Sequence, residues 1–198
     1  FRHNFFRGGD MKDSEMKKLI SIKLAPWIQK ATRLRQKPRY VGGNQFRHQG
    51  KTLFILIDYL IIDSVLLKAA LIHDLFEEFK YDNFDDLIYL DEDGYSVVQL
   101  ALEVTRRKDD QGRKEPKNKF LKRILNQGSR RAKLLKCADR ISNLTDLNSD
   151  FDRSFIKRYM RESSKYILPM AKEANRDMYK ELFDIIKNLE RQTGIRVL

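Results

Sequence analysis

Three widely separated segments carry side chains that could do chemistry together: His48, the pair His73-Asp74 with Glu77 and Glu78 just after it, and Asp139. Residues 66–79 read as a helix, with Asp63 and Ser64 offering an N-cap and no Gly or Pro to interrupt it. At roughly 100° per residue, His73, Glu77, Asp74 and Glu78 share an arc of about 140°, and Leu75, Phe79, Ile72 and Phe76 fill the opposite side. Taken alone, such an arc would be explained by a solvated acidic face. Residues 65–72 argue otherwise, because they are apolar almost all round apart from Lys68 and so belong to a buried helix. Carboxylates on the next turn of a buried helix are costly to desolvate unless a cation neutralises them. A metal ion is the implied cation, and it needs further ligands.

The chain has three histidines, and His3 lies in a ragged N-terminal stretch, which leaves His48 as the second imidazole. Residues 136–144 form a helix-like segment with Asp139 and Asn143 one turn apart on one face. His48, His73, Asp74 and Asp139 together make a mixed nitrogen and oxygen shell, suited to a divalent transition metal with positions left open for water. Glu77 and Glu78, one turn beyond two of the ligands, are placed to orient a water and to move its proton.

The order His, then His-Asp, then Asp resembles the signature of the HD phosphohydrolase superfamily. Within it the chain is similar to the hydrolase domain of the RelA/SpoT family, as a stand-alone small alarmone hydrolase. Residues 73–78, His-Asp-Leu-Phe-Glu-Glu, match that family's His-Asp followed by Glu-Asp, with Glu78 where Asp is usual. Arg39 matches an Arg ahead of the first His, and Ala138-Asp139-Arg140 with Asn143 matches the downstream motif. Ala69-Ala70-Leu71-Ile72 and Glu103-Val104-Thr105 fit as well, so the likeness spans roughly residues 20–170. Tyr40 stands where a Lys is common, and Phe46-Arg47 and Gln49 replace the usual Pro-Tyr and Pro around the first His. The resemblance implies an all-α, single-domain HD-type helical bundle. The activity it implies is cleavage of the 3′-pyrophosphate from guanosine or adenosine 3′,5′-bispyrophosphate-type alarmones. Mn²⁺ is the implied ion, and ligand chemistry also allows Fe²⁺, Co²⁺ or Zn²⁺. Arg39 and Asn143 are the implied substrate contacts, with Lys114, Lys157 and Arg161 as further basic candidates and Arg113 and Lys117 beside the first of these.

Composition bounds these expectations. The 198 residues, 41% hydrophobic and 11% aromatic, suffice for one sizeable core. The net charge of +12 calls for an anionic partner, and Lys and Arg are thick in residues 30–51, 106–133 and 153–165. If folding brings those stretches round the acidic face, they form a positive funnel for a small nucleotide. The lone Cys137 excludes an internal disulfide and fits a reducing, cytoplasmic setting; in an apolar helix it reads as a packed thiol. No apolar run is long enough to span a bilayer, so no membrane partner is expected, and the sequence leaves a homo-oligomer open. Residues 1–10, ahead of Met11, read as a leader or expression-derived segment, and residues 11–198 as the domain.

Along the chain, an amphipathic helix begins at Asp13 or Ser14 and runs to Ala31, kinked or divided at Pro26. Pro38 and Gly42-Gly43 mark a flexible loop that holds Arg39, and His48 follows where the next helix begins. Residues 54–62 read as buried helix continuing toward the next one, and residues 84–90 as a short helix before a turn at 91–94. Residues 95–107 read as an amphipathic helix, residues 108–119 as a mobile charged loop, and 120–126 and 129–147 as helices. Residues 155–170 and 171–190 complete the chain as two helices divided near Pro169. Two other functions remain open. A different HD-type nucleotide phosphohydrolase, such as a 5′-nucleotidase, would keep the metal set without needing Arg39 or Asn143. A non-enzymatic basic module binding nucleic acid would explain the charge but not the acidic cluster.

Overall fold

The computed structural model describes residues 10–40, 42–80, 83–148 and 150–198. His3 and nearly all of the expected leader lie outside these residues. Helices α1 (Asp13–Ser21) and α2 (Ala25–Ala31) are divided at residues 22–24 rather than at Pro26, which stands in the first turn of α2, where its missing N–H costs nothing. A short 3-10 turn (Thr32–Gln36) leads to α3 (Gln45–Asp58), α4 (Ser64–Ile72) and the single turn α5 (Leu75–Glu78). Then come α6 (Asp85–Ile88), α7 (Gly94–Glu103), α8 (Lys117–Gln127) and α9 (Arg130–Thr145). α10 (Arg153–Glu162) runs through a π turn (Ser163–Ile167) into α11 (Leu168–Ala174), and α12 (Arg176–Thr193) follows. Among the described residues the β pairing is limited to two isolated bridges, Pro38 with Asn44 and Lys108 with Lys114, so the chain is all-α as expected.

α4 is the axis of the bundle. Every residue from Val65 to Ile72 is buried, and the helix packs against α2, α3, α7 and α9. Its leucines and isoleucine each contribute about 1.5–3 kcal/mol by leaving water. Asp63 caps it, accepting from the Leu66 N–H at 2.9 Å. α3 lies against both α4 and α9. That packing brings the first turn of α3, the C-terminal end of α4 and the middle of α9 to one point.

Several expected boundaries need correction. The helix read over residues 66–79 breaks at His73-Asp74, where the His73 ring bonds the Ala70 carbonyl. The run 54–62 does not join the next helix. Leu60 adopts φ 55°, and Ile61 N–H closes back onto Leu56 O at 3.0 Å, a helix terminator built without the glycine that usually marks it. Pro169 divides nothing: the π turn absorbs it within helical backbone, and the real break is at Asn175, whose side chain caps α12. The charged segment read as a loop over 108–119 is a bridged turn that gives way to α8 at Lys117. The Arg39 loop is likewise bridged, with Gln45 N–H to Lys37 O at 2.9 Å, rather than open.

The one charge within α4, Lys68, is 1% exposed and bonds Asp91 at 2.8 Å and Asp93 at 2.7 Å. Trp27 Nε1 also donates to Asp91 at 2.7 Å, so this cluster pins α2 and α7 to α4. Burial works against the Asp91 carboxyl, but Lys68 and Trp27 hold it below the ordinary 3.8; at Asp93, Lys68 is the leading cause of the same shift. Lys68→Ala is expected to cost about 3–5 kcal/mol in chemical denaturation, since it leaves a buried carboxylate unpaired. The depressed carboxyls make the cluster's contribution complete above pH 3.8 and lost as the pH falls through their folded values. Lys68 itself is pushed down by burial but raised overall by its two partners, so its share is complete below 10.5 and lost only as the pH rises past that.

Candidate metal centre

His48 comes from the first turn of α3, His73 and Asp74 from the junction of α4 and α5, and Asp139 from the middle of α9. One ligand atom each from His48, His73 and Asp74 lies within 4.8 Å of the other two. Asp139 Oδ1 is 3.0 Å from His48 Nε2 and 4.0 Å from His73 Nε2. Asp74 Oδ1 is 3.6 Å from His73 Nε2, and its Oδ2 is 3.9 Å from His48 Nε2. Both imidazoles are 2% exposed and Asp139 is buried, while Asp74 is partly open to solvent.

The hydrogen bonds around the rings decide what faces the centre. His73 Nδ1 is 2.9 Å from Ala70 O, a pure acceptor, so Nδ1 carries the proton and Nε2 presents a lone pair. That Nε2 is buried and has no hydrogen-bond partner. A lone pair aimed at two carboxylates is repulsive unless a cation sits among them. His48 Nδ1 is 3.0 Å from Ser142 Oγ, which can accept its proton and leave Nε2 directed inward. The residues present therefore fit a divalent ion.

Both carboxyls that face the rings are held ionised. Burial raises the Asp74 carboxyl, but the His73 and His48 rings and Lys136 hold it below the ordinary range. Burial opposes ionisation of Asp139 as well, and Lys136, 2.5 Å from its Oδ2, then His48, carry it well below. Lys136 is pushed down by its own burial and raised overall by Asp139 and Asp74, so it stays charged.

Around this cluster the other expected residues fall into two groups. Arg39 Nη2 donates to Asn143 Oδ1 at 2.7 Å, and Asn143 Nδ2 donates to Asp139 Oδ1 at 2.6 Å, which ties the Arg39 loop to the centre. Glu77 Oε1 accepts from the Arg106 N–H at 3.2 Å, and its Oε2 is 3.7 Å from Lys114 Nζ. Glu78 Oε2 has Lys37 Nζ at 3.9 Å. Lys117 also faces the cluster: burial, then the Lys136 and Arg140 charges, pull its ammonium down to about 8, while Asp139 and Glu77 act in the other sense. Lys157 and Arg161 line a separate groove of about 420 Å³ with Arg158 and Lys165, and none of the four metal-centre residues belongs to it. Arg113 is turned to Asp109 at 2.7 Å. Cys137 is buried and its thiol is pushed up to about 12, as befits a packed side chain.

Three residues at the centre escaped the sequence reading: Gln49, Lys136 and Ser142. Gln49, noted there only as a departure from a usual Pro, donates to Asp74 Oδ2 at 2.8 Å. Lys136 and Ser142 lie one turn to either side of Asp139 on α9, and that spacing was the available signal for both.

No family model matches the chain, and no curated protein does. Among solved structures, that of a metazoan ortholog of SpoT, described as hydrolysing ppGpp and playing a role in starvation responses, aligns over 96% of this chain and 100% of its own. The TM-score is 0.68 at 24% sequence identity. A likeness of that extent at this identity is one of fold, and the described residues form the all-α bundle expected from the sequence.

Proposed function

We propose that the chain is a metal-dependent hydrolase that removes the 3′-pyrophosphate of guanosine or adenosine 3′,5′-bispyrophosphate-type alarmones and releases pyrophosphate. The observation that carries this reading is the buried His73 Nε2, unpartnered and directed at Asp74 and Asp139. The fold shared with a protein described as hydrolysing ppGpp supports the choice of substrate.

In this reading His48, His73, Asp74 and Asp139 hold the ion, Mn²⁺ by preference. When bound, such an ion supplies Lewis acidity, lowering the pKa of water toward neutrality and neutralising phosphate charge. The remaining work belongs to the chain's own side chains. Ser142 and the Ala70 carbonyl fix the two ring orientations, and Gln49 and Lys136 hold the two carboxylates. Glu78 takes the proton from the attacking water, while Glu77, bonded to Arg106 and beside Lys114, sets those cations toward the phosphates. Arg39, held by Asn143, offers its remaining donors to a phosphate oxygen.

The test is a panel of alarmones and deoxynucleoside monophosphates incubated with the full chain and Mn²⁺, with products resolved by chromatography. Pyrophosphate from the 3′-bispyrophosphates alone is the expected result. Release of orthophosphate from the monophosphates would assign a nucleotidase instead.

A further inference from the structure

A second cleft, of about 950 Å³, opens beside α5, and neither the His-Asp cluster nor Glu77 or Glu78 lines it. Its floor is aromatic: Phe76 and Phe84 meet edge to face at 5.1 Å, beside Phe79, whose ring carries Arg33 and Lys37, each 4.8 Å from its centroid. α7 adds Tyr95, 63% exposed, with the polar side chains of Ser96 and Gln99. Arg106, Arg107, Lys108 and Arg131 line it as well. One acid, Glu103, lines it, accepting from the Ser129 N–H at 2.6 Å and the Ser129 Oγ at 2.9 Å, against six Lys and Arg. Arg131 is paired with Asp63. Arg107 and Lys108 are exposed; Glu115, which accepts from the Arg107 N–H at 3.4 Å and feels its charge, is paired with Arg123 at 3.0 Å. The bridge from Lys108 to Lys114 and the bond from Asp109 N–H to Arg113 O fix the turn that carries them.

We infer that this cleft is a second nucleotide site, taking a nucleoside triphosphate with its base on the aromatic floor and its phosphates on Arg107 and Lys108. An apolar ligand would have no use for the cations, and an inorganic anion none for the aromatic rings. A nucleotide uses both: every base has a face that stacks on aromatic side chains, and guanidinium groups pair with phosphate oxygens. The volume lies in the range of small-molecule sites. Arg106 stands between the two sites, lining the cleft while its backbone N–H holds Glu77. The inference is independent of the metal-centre reading.

The experiment is calorimetric titration of the full chain with GTP, which lacks a 3′-pyrophosphate, in buffer containing a chelator. The double variant Arg107→Glu/Lys108→Glu, which changes two exposed side chains, is expected to weaken binding about tenfold or more. Tyr95→Ala is expected to weaken it about fivefold or more by removing one stacking face. Arg39→Ala at the metal centre, and the same charge reversal at exposed Lys17 and Lys172, should leave it within about twofold. Tripolyphosphate, which has no base, should bind about tenfold more weakly than GTP. The inference is overturned if GTP does not bind, or binds the double variant as it binds the parent. It is overturned equally if Arg39→Ala abolishes binding, or if tripolyphosphate matches GTP.

Discussion

Asp139→Asn is expected to abolish stable Mn²⁺ binding and to lower turnover of a 3′-bispyrophosphate by about a thousandfold or more, the scale of the charge stabilisation a catalytic ion supplies. Asp139 Oδ1 lies between His48 Nε2 and Asn143 Nδ2, and Oδ2 bonds Lys136. The amide keeps the size and much of the bonding but not the charge, so the bundle should still fold. Asp139→Ala should lose the ion too and in addition leave the buried Lys136 ammonium without its nearest partner, at a further cost of about 3–5 kcal/mol in stability. Mn²⁺ titration by electron paramagnetic resonance, a denaturation curve and a turnover assay on both variants separate the two effects. Undiminished Mn²⁺ binding by the Asn variant would remove Asp139 from the centre.

Glu78→Gln is expected to behave differently: full Mn²⁺ binding, and kcat lowered by about 10²–10⁴, the usual contribution of a positioned acid-base group. Glu77 and Glu78 are neighbours in the single turn α5 but differ in their bonding. Glu77 is tied to the Arg106 N–H and flanked by Lys114, whereas Glu78 pairs loosely with Lys37, at 3.9 Å. Glu77→Gln should therefore act mainly on KM, through the cations it holds, and Glu78→Gln on kcat. If Glu78→Gln hydrolyses as fast as the parent, the proton acceptor is another group.

The sequence made the cluster legible because its members belong to types that are costly to bury without a cation, and because α4 is so apolar that burial at its end could be read directly. The individual helices were legible from periodicity, and the all-α bundle was what the resemblance implied. Hydrogen bonds that replace the usual punctuation were less legible. Leu60 ends α3 in a conformation normally left to Gly, and the helix at the site breaks without a breaker residue, where the His73 ring bonds the Ala70 carbonyl. Gln49 shows the same limit, since its part in holding Asp74 depends on a contact across two helices. The basic stretches were visible as a general surplus. Folding sorts them into Arg39 and Lys117 near the centre, Lys114 beside Glu77, Lys157 and Arg161 in a groove apart, and Arg107 and Lys108 at the second cleft.

The most direct measurement is release of pyrophosphate from guanosine 3′,5′-bispyrophosphate by the full chain, before chelation, after removal of metal, and after Mn²⁺ is returned. The expected result is release that stops on chelation and resumes with Mn²⁺. Release that continues undiminished in the metal-free protein, or its absence at every stage while Mn²⁺ remains bound, would contradict a metal-dependent alarmone hydrolase built on His48, His73, Asp74 and Asp139.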